Sequence, residues 1–200
     1  STVAYAFREI ARRICVENLK ILGVSTSAKT TSLATELGIP LTTLDEHPRL
    51  DLAIDGADQV DEALNLIKGM GGALTREKIV DSSADRLVIV VDETKLTWKL
   101  GLDQPIPIET LPFATTTILD QLPTLGVRPT IRRLDQGRKL LTDNGNHIID
   151  VHVGPIDDLQ ALNTRLKMIP GVVETGLFLG MTDFVYIGLR DGTVERLKRS

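Results

Sequence analysis

The sequence predicts an α/β fold built on a parallel sheet, joined to a smaller α+β unit. Three observations carry this reading. Short apolar runs alternate with helix-period segments through the first half of the chain, the rhythm of βαβ units. The run Leu87 to Val91 is apolar without a break, as in a strand covered on both faces. Near Asp103 the rhythm changes to a βαββα pattern. The chain has 200 residues, enough for one large domain or two small ones.

Element by element, Val3 to Cys15 places apolar side chains at helical spacing, with Ser1 or Thr2 as cap. Ile21 to Val24 reads as a buried strand, followed by the polar turn Ser25-Thr26-Ser27. Thr31 to Leu37 reads as a helix stopped by Gly38 and Pro40. Leu52 to Ile54 is a short strand, Leu74 to Ala84 a helix and Leu87 to Val91 a strand. Pro105 to Glu109 reads as a strand at a domain edge, and Thr115 to Leu122 as a helix. Thr130 to Leu134 and His147 to Val153 read as strands, the second after the turn Asp143-Asn144-Gly145-Asn146. Asp157 to Met168 reads as a helix ending before Pro170. Phe184 to Leu189 and Thr193 to Leu197, joined by Asp191-Gly192, form a hairpin.

Composition excludes several classes. Lys plus Arg is 23 and Asp plus Glu is 27, a formal charge of −4, which argues against a nucleic-acid-binding surface. The lone Cys15 excludes an intrachain disulfide framework and a cysteine-based zinc site, and fits a reducing, cytoplasmic compartment. No apolar run is long enough to span a membrane. His47, His147 and His152 lack metal-ligand spacing and read as structural. Trp98 and the phenylalanines read as packing residues.

The chemistry concentrates in residues 51–78. Asp51-Leu52-Ala53-Ile54-Asp55-Gly56-Ala57-Asp58 is a short strand ending in two carboxylates with two small residues between them. Ligands of open α/β sheets bind at such strand ends, and Gly56 and Ala57 leave room for a substrate. The same pattern also reads as a helix-capping turn. Lys68-Gly69-Met70-Gly71-Gly72 then enters a helix that carries Glu77. A glycine loop presents backbone N–H groups to an anion, Lys68 supplies a point charge, and a partly desolvated Glu77 suits a general base. Against this stands a plain turn followed by an exposed Glu. Lys95, after the strand ending near Val91, reads as a second cation for a phosphate or hydroxyl, or as a solvated lysine.

Asp51 to Asp58, Leu64-Asn65-Leu66-Ile67-Lys68-Gly69 and Thr75-Arg76-Glu77-Lys78-Ile79-Val80 together resemble ribose-5-phosphate isomerase of the A type. So do Thr142-Asp143-Asn144-Gly145-Asn146 and Ile169-Pro170-Gly171-Val172-Val173-Glu174-Thr175-Gly176-Leu177-Phe178. The resemblance runs from end to end and in order. It implies a Rossmann-like domain from residues 1–102 and 176–200, and a ferredoxin-like α+β domain from residues 103–175. It implies interconversion of ribose 5-phosphate and ribulose 5-phosphate through a cis-enediolate, with no metal or organic cofactor. Glu77 is then the proton acceptor, Lys68 offsets charge on the enediolate oxygen, and Asp55 moves a hydroxyl proton during ring opening. Asp58, Gly56, Ala57, Gly69, Met70, Gly71 and Lys95 contact the sugar phosphate. Ser1 and Thr2 match the end of the family's phosphate loop. A homodimer or larger assembly is also implied.

Three features depart from the family pattern: Gln59 stands where Glu is usual, Met70 interrupts the glycine run, and the chain starts at Ser1, within the phosphate loop. The last leads to the expectation that a first helix and strand are missing and that this chain alone is poorly active and aggregation-prone. A transit segment ahead of Ser1 would direct the protein to a plastid. The first two departures raise an alternative, a homologue that binds sugar phosphate with weakened turnover.

Overall fold

The structure, a computed structural model, describes residues 3–199. The predicted cap and phosphate-loop residues Ser1 and Thr2 lie outside the described residues. In chain order the elements are α1 (Val3–Glu17), α2 (Ala28–Glu36), β1 (Ala53–Asp55), β2 (Gln59–Val60), β3 (Leu66–Ile67), α3 (Leu74–Ser82), β4 (Leu87–Asp92), β5 (Ile106–Thr110), α4 (Thr115–Gln121), β6 (Arg128–Ile131), β7 (His147–His152), α5 (Leu159–Lys167), β8 (Val172–Thr175), β9 (Leu177–Phe178), β10 (Phe184–Gly188) and β11 (Val194–Lys198).

Alternating βα segments produce the first sheet, ordered β1-β4-β10-β11. β1 and β10 both run parallel to β4, and the predicted hairpin adds β11 antiparallel to β10. Ile89, Val185 and Ile187 are fully buried in its core. Each such side chain contributes roughly 1.5–3 kcal/mol on burial. The second four-stranded sheet, ordered β6-β7-β5-β8, is antiparallel throughout. Its core gathers Ile106, Ile108 and Ile149 with Ile118 of α4 and Leu166 of α5.

A third sheet, β2-β3-β9, joins the two cores. Its strands are two residues long, so alternate side chains point to opposite faces. The pair Leu66 and Phe178 packs into the first core, and the neighbouring pair Ile67 and Leu177 into the second.

Besides the unexpected two-residue strands β2, β3 and β9, the structure departs from the sequence expectation in four places. Ile21 to Val24 is not a strand: only Gly23 bridges, to Leu41, and Leu22 is 54% exposed. Its backbone pairing is confined to Gly23, whose N–H donates to the Pro40 carbonyl (2.9 Å) and whose carbonyl accepts the Thr42 N–H (2.9 Å), too short a ladder to extend into a strand. The strand at Pro105 to Glu109 is observed at Ile106–Thr110 and is internal, between β7 and β8. Pro107 is tolerated there because β8 ends at Thr175, opposite Ile108, so the missing N–H falls beyond the last paired residue. β6 begins two residues before the expected Thr130. β8, which follows Pro170-Gly171, was not expected at all. No helix among the described residues is long and apolar enough to cross a membrane.

Candidate active site

Asp55 ends β1 and Asp92 ends the parallel neighbour β4. A cavity of about 390 Å³ opens at these carboxyl ends, the position at which open α/β sheets bind ligands and a volume suited to a small molecule. Asp55, Gly56, Ala57, Asp58, Lys68, Gly69, Gly71, Glu77 and Lys95 all line it. Met70 does not.

Local backbone contacts deliver each side chain. The Gly56 N–H donates to Asp55 Oδ1 (2.7 Å), and the Asp58 N–H donates to the Ile67 carbonyl (2.8 Å), which ties the Asp55-to-Asp58 turn to β3. Lys68 follows β3 directly, and its N–H donates to the Gly176 carbonyl (2.9 Å). A Cβ at Gly176 would stand 2.3 Å from the Lys68 carbonyl oxygen, so only glycine lets these segments approach. Gly69 takes φ +108, which turns the chain from Lys68 into the loop before α3. Met70 needs no positive φ, and its sulfur lies 3.4 Å from Arg132 Nη2. The interrupting side chain is therefore turned toward Arg132 and away from the cavity lining. Gln59, the other departure, is buried, and its Oε1 accepts the Gly101 N–H (2.9 Å).

Glu77 projects from the first turns of α3 between two anchored neighbours. Arg76 donates to Asn144 Oδ1 (2.7 Å) and the Asp143 carbonyl (2.9 Å). Lys78 pairs with Glu174 (2.9 Å) and donates to the carbonyls of Thr175 (2.6 Å) and Leu177 (2.8 Å). Both tie α3 to the polar segments around the antiparallel sheet.

Lys68 is the charge centre. Its Nζ lies 2.7 Å from Asp55 Oδ2 and 3.4 Å from Glu77 Oε2, and donates to the Gly56 carbonyl (2.6 Å). Burial opposes its charge, but the carboxylates of Asp55, Glu77 and Asp81 outweigh that and hold its pKa above the ordinary lysine value. Glu77 is shifted upward: burial dominates, the attraction of Lys68 opposes it, and repulsion from Asp55 and Asp58 adds to it. A cation that stays charged beside a carboxylate made more basic is what enolisation of a carbonyl compound needs.

Some functional groups were missed in the sequence. Asp81 sits on α3 one turn beyond Glu77 and is only 4% exposed. Burial, opposed by Lys68 and aided by Asp55 and Glu77, pushes its pKa up to about 8. Its i,i+4 spacing from Glu77 is the one signal in the sequence. Arg132 of the loop after β6 donates to the carbonyls of Gly69 (2.7 Å) and Met70 (3.0 Å), and pairs with Asp150. Ser27, read as part of a polar turn, caps α2 by accepting the Thr30 N–H (3.1 Å). His147 bonds Thr115 Oγ1 through Nδ1 (2.8 Å). Trp98 and Phe113 are exposed rather than packed. Among the described residues no group of His, Cys, Asp and Glu is arranged to hold a metal ion.

The pattern of the family described as Ribose 5-phosphate isomerase A (phosphoriboisomerase A) matches residues 22–192. A relative from Methanosarcina acetivorans, named ribose-5-phosphate isomerase A, is 48% identical over all of this chain and 84% of its own length. The solved structure of ribose 5-phosphate isomerase A from Methanocaldococcus jannaschii is 45% identical, with TM-score 0.93 over 99% of this chain and 87% of that one. A structure of D-ribose-5-phosphate isomerase in complex with phospho-erythronic acid is 39% identical, with TM-score 0.94 over 98% of this chain and 86% of that one.

Proposed function

The chain belongs to the ribose 5-phosphate isomerase A family, and from that premise we propose how its own residues interconvert ribose 5-phosphate and ribulose 5-phosphate. The observation that carries the proposal is the buried Lys68 ammonium within 3.4 Å of the Glu77 carboxylate at the carboxyl end of the parallel sheet. Glu77 removes the C2 proton of the open-chain aldose. The C–H electron pair becomes the C1–C2 double bond, and the aldehyde oxygen takes the negative charge of a cis-enediolate. Lys68 stabilises that oxygen. Glu77 returns its proton to C1, the O2 proton passes to O1, and the C2 carbonyl of the ketose forms. The atoms balance without a co-reactant.

Asp55 accepts and returns a hydroxyl proton during ring opening. Asp58 positions the sugar hydroxyls and also caps the loop through the Met70 N–H (3.0 Å). Gly56, Ala57, Gly69 and Gly71 give the sugar room, and Lys95 meets its polar end. The alternative of a binding homologue loses its motive, because Gln59 bonds Gly101 and Met70 faces Arg132.

Ribose 5-phosphate deuterated at C2 tests this. Release of label to water that disappears in Glu77→Gln, with phospho-erythronic acid still bound, is the expected result. Undiminished release in the variant removes Glu77 from the mechanism. The same proposal includes two domains, residues 1–102 with 176–200 and residues 103–175, a cytoplasmic location, and a homodimer or larger assembly. Exposed Trp98 and Phe113 suit a surface that association covers; a monomeric sedimentation coefficient at micromolar concentration would remove the last point.

A further inference from the structure

The mechanism uses Asp55, Lys68 and Glu77 but leaves a buried carboxyl beside them without a task. Asp81 lies one turn beyond Glu77 on α3, 4% exposed, and its Oδ2 has no hydrogen-bond partner. It lines a second, larger cavity that shares Asp55, Gly71 and Glu77 with the first.

The local charge count decides its state. Among the described residues Lys68 is the one cation in contact with this group of acids, and two carboxylates already claim it, Asp55 at 2.7 Å and Glu77 at 3.4 Å. A third buried carboxylate with an unmet oxygen would go uncompensated, which is costly enough that such a group keeps its proton.

We propose that Asp81 is a positioning residue for proton transfer: it remains a neutral carboxylic acid behind Glu77, so that the charge of Lys68 stays available to the oxygen of the enediolate. This rests on the roles given above to Glu77 and Lys68. When Asp81 ionises, a third negative charge enters a pocket that must accept an anionic intermediate, and the stabilisation by Lys68 falls.

The groups that face Asp81 are few. Lys68 approaches from the end of β3, Asp55 from β1 and Glu77 from its own helix. Glu109 of β5 takes Thr142, Asn144 and Asn146 on Oε1 and leaves Oε2 unpartnered, and Glu174 of β8 is committed to Lys78 and Lys167. The other titratable residues along the larger cavity, Arg13, Lys20, Lys29, His47, Arg49, Asp51 and Asp143, are exposed and screened by water. The upward shift of the Asp81 pKa to about 8 agrees with this arrangement. Lys68, held above its ordinary value, loses its proton only at higher pH, and the second ionisation of a phosphate monoester lies near pH 6, on the acid side.

The test is the pH profile of kcat/KM for ribose 5-phosphate in wild type and Asp81→Asn, from pH 6 to about 10. Expected is an alkaline decline in wild type centred near pH 8, absent from Asp81→Asn. The neutral-pH kcat of the variant stays within about threefold of wild type. A wild-type profile without that decline, a decline retained in Asp81→Asn, or a tenfold loss at pH 7 in a folded Asp81→Asn each overturns the proposal. Should the variant not fold, infrared spectra decide. The carbonyl band of a protonated carboxylic acid present at pH 7 in wild type and in Glu77→Gln, and lost above pH 8, supports it; no such band at pH 7 overturns it. Failure of the Glu77 assignment shows instead at neutral pH, in Glu77→Gln, whatever the alkaline limb does.

Discussion

Lys68 Nζ stands 3.4 Å from Glu77 Oε2 and 2.7 Å from Asp55 Oδ2 and makes an aligned hydrogen bond to neither, donating instead to the Gly56 carbonyl. The base is thus held in the field of a cation without its lone pair being consumed. Glu77→Gln keeps the shape and removes the proton acceptor. We expect kcat to fall by about 10²–10⁴, with KM changed by no more than about threefold and an unchanged circular-dichroism spectrum. Steady-state kinetics check this, and a loss below tenfold contradicts the assignment.

Lys68→Met tests the other half of the pair. Lys68 is 3% exposed, so its loss leaves Asp55 and Glu77 without their counter-charge. Breaking a buried pair this way costs about 3–5 kcal/mol. The orphaned carboxyls can relieve that cost by taking up protons, so the loss of stability should be larger at pH 8 than at pH 5. Urea unfolding at the two pH values measures it. Equal losses would mean that the carboxylates are not the groups Lys68 compensates.

How far the sequence was legible depends on chain separation. Asp55 and Asp58 close a strand with two small residues between them, Lys68 opens a glycine loop, and Glu77 lies in the first turn of the helix that follows, so the sequence pattern alone brings them to one strand end. Asp81 was not legible in this way. Flanked by Val80 and the polar pair Ser82-Ser83, it reads as an ordinary polar helix position, and only the packing of α3 shows it to be buried. Arg132 was hidden for a different reason: its carbonyl partners lie 62 and 63 residues away. The two-residue strands β2, β3 and β9 are too short to show a period of two, yet they join the two cores.

Arg132 gives a prediction about loop position. Its guanidinium donates to the carbonyls of Gly69 and Met70 and is itself oriented by Asp150. Arg132→Ala releases both carbonyls and lets the loop between Lys68 and α3 move. KM for ribose 5-phosphate should rise by about tenfold or more, the cost of losing charge-assisted bonds of this kind, with kcat affected less than KM. Asp150→Asn should move KM in the same direction by a smaller factor. A fall in kcat at unchanged KM would place Arg132 in the chemical step instead.

The pH dependence of stability follows from the sign of the Asp81 shift. An unfolded Asp ionises near pH 3.9, whereas burial holds folded Asp81 protonated to about pH 8. Between those values the native state binds the extra proton. Its stabilising contribution is therefore full below the unfolded pKa and is lost as pH rises through the folded one. Glu77, also raised, acts in the same direction. His147 acts oppositely, since burial lowers its pKa and its contribution grows as pH rises toward the ordinary histidine value. Asp81→Asn removes only the first of these effects. Its unfolding free energy minus that of wild type should thus become more favourable from pH 5 to pH 8, by about 3–4 kcal/mol, and level off above. Urea unfolding of both proteins at half-unit steps measures the difference; a flat difference across that window would mean that Asp81 ionises as readily folded as unfolded, and that its burial carries no electrostatic consequence.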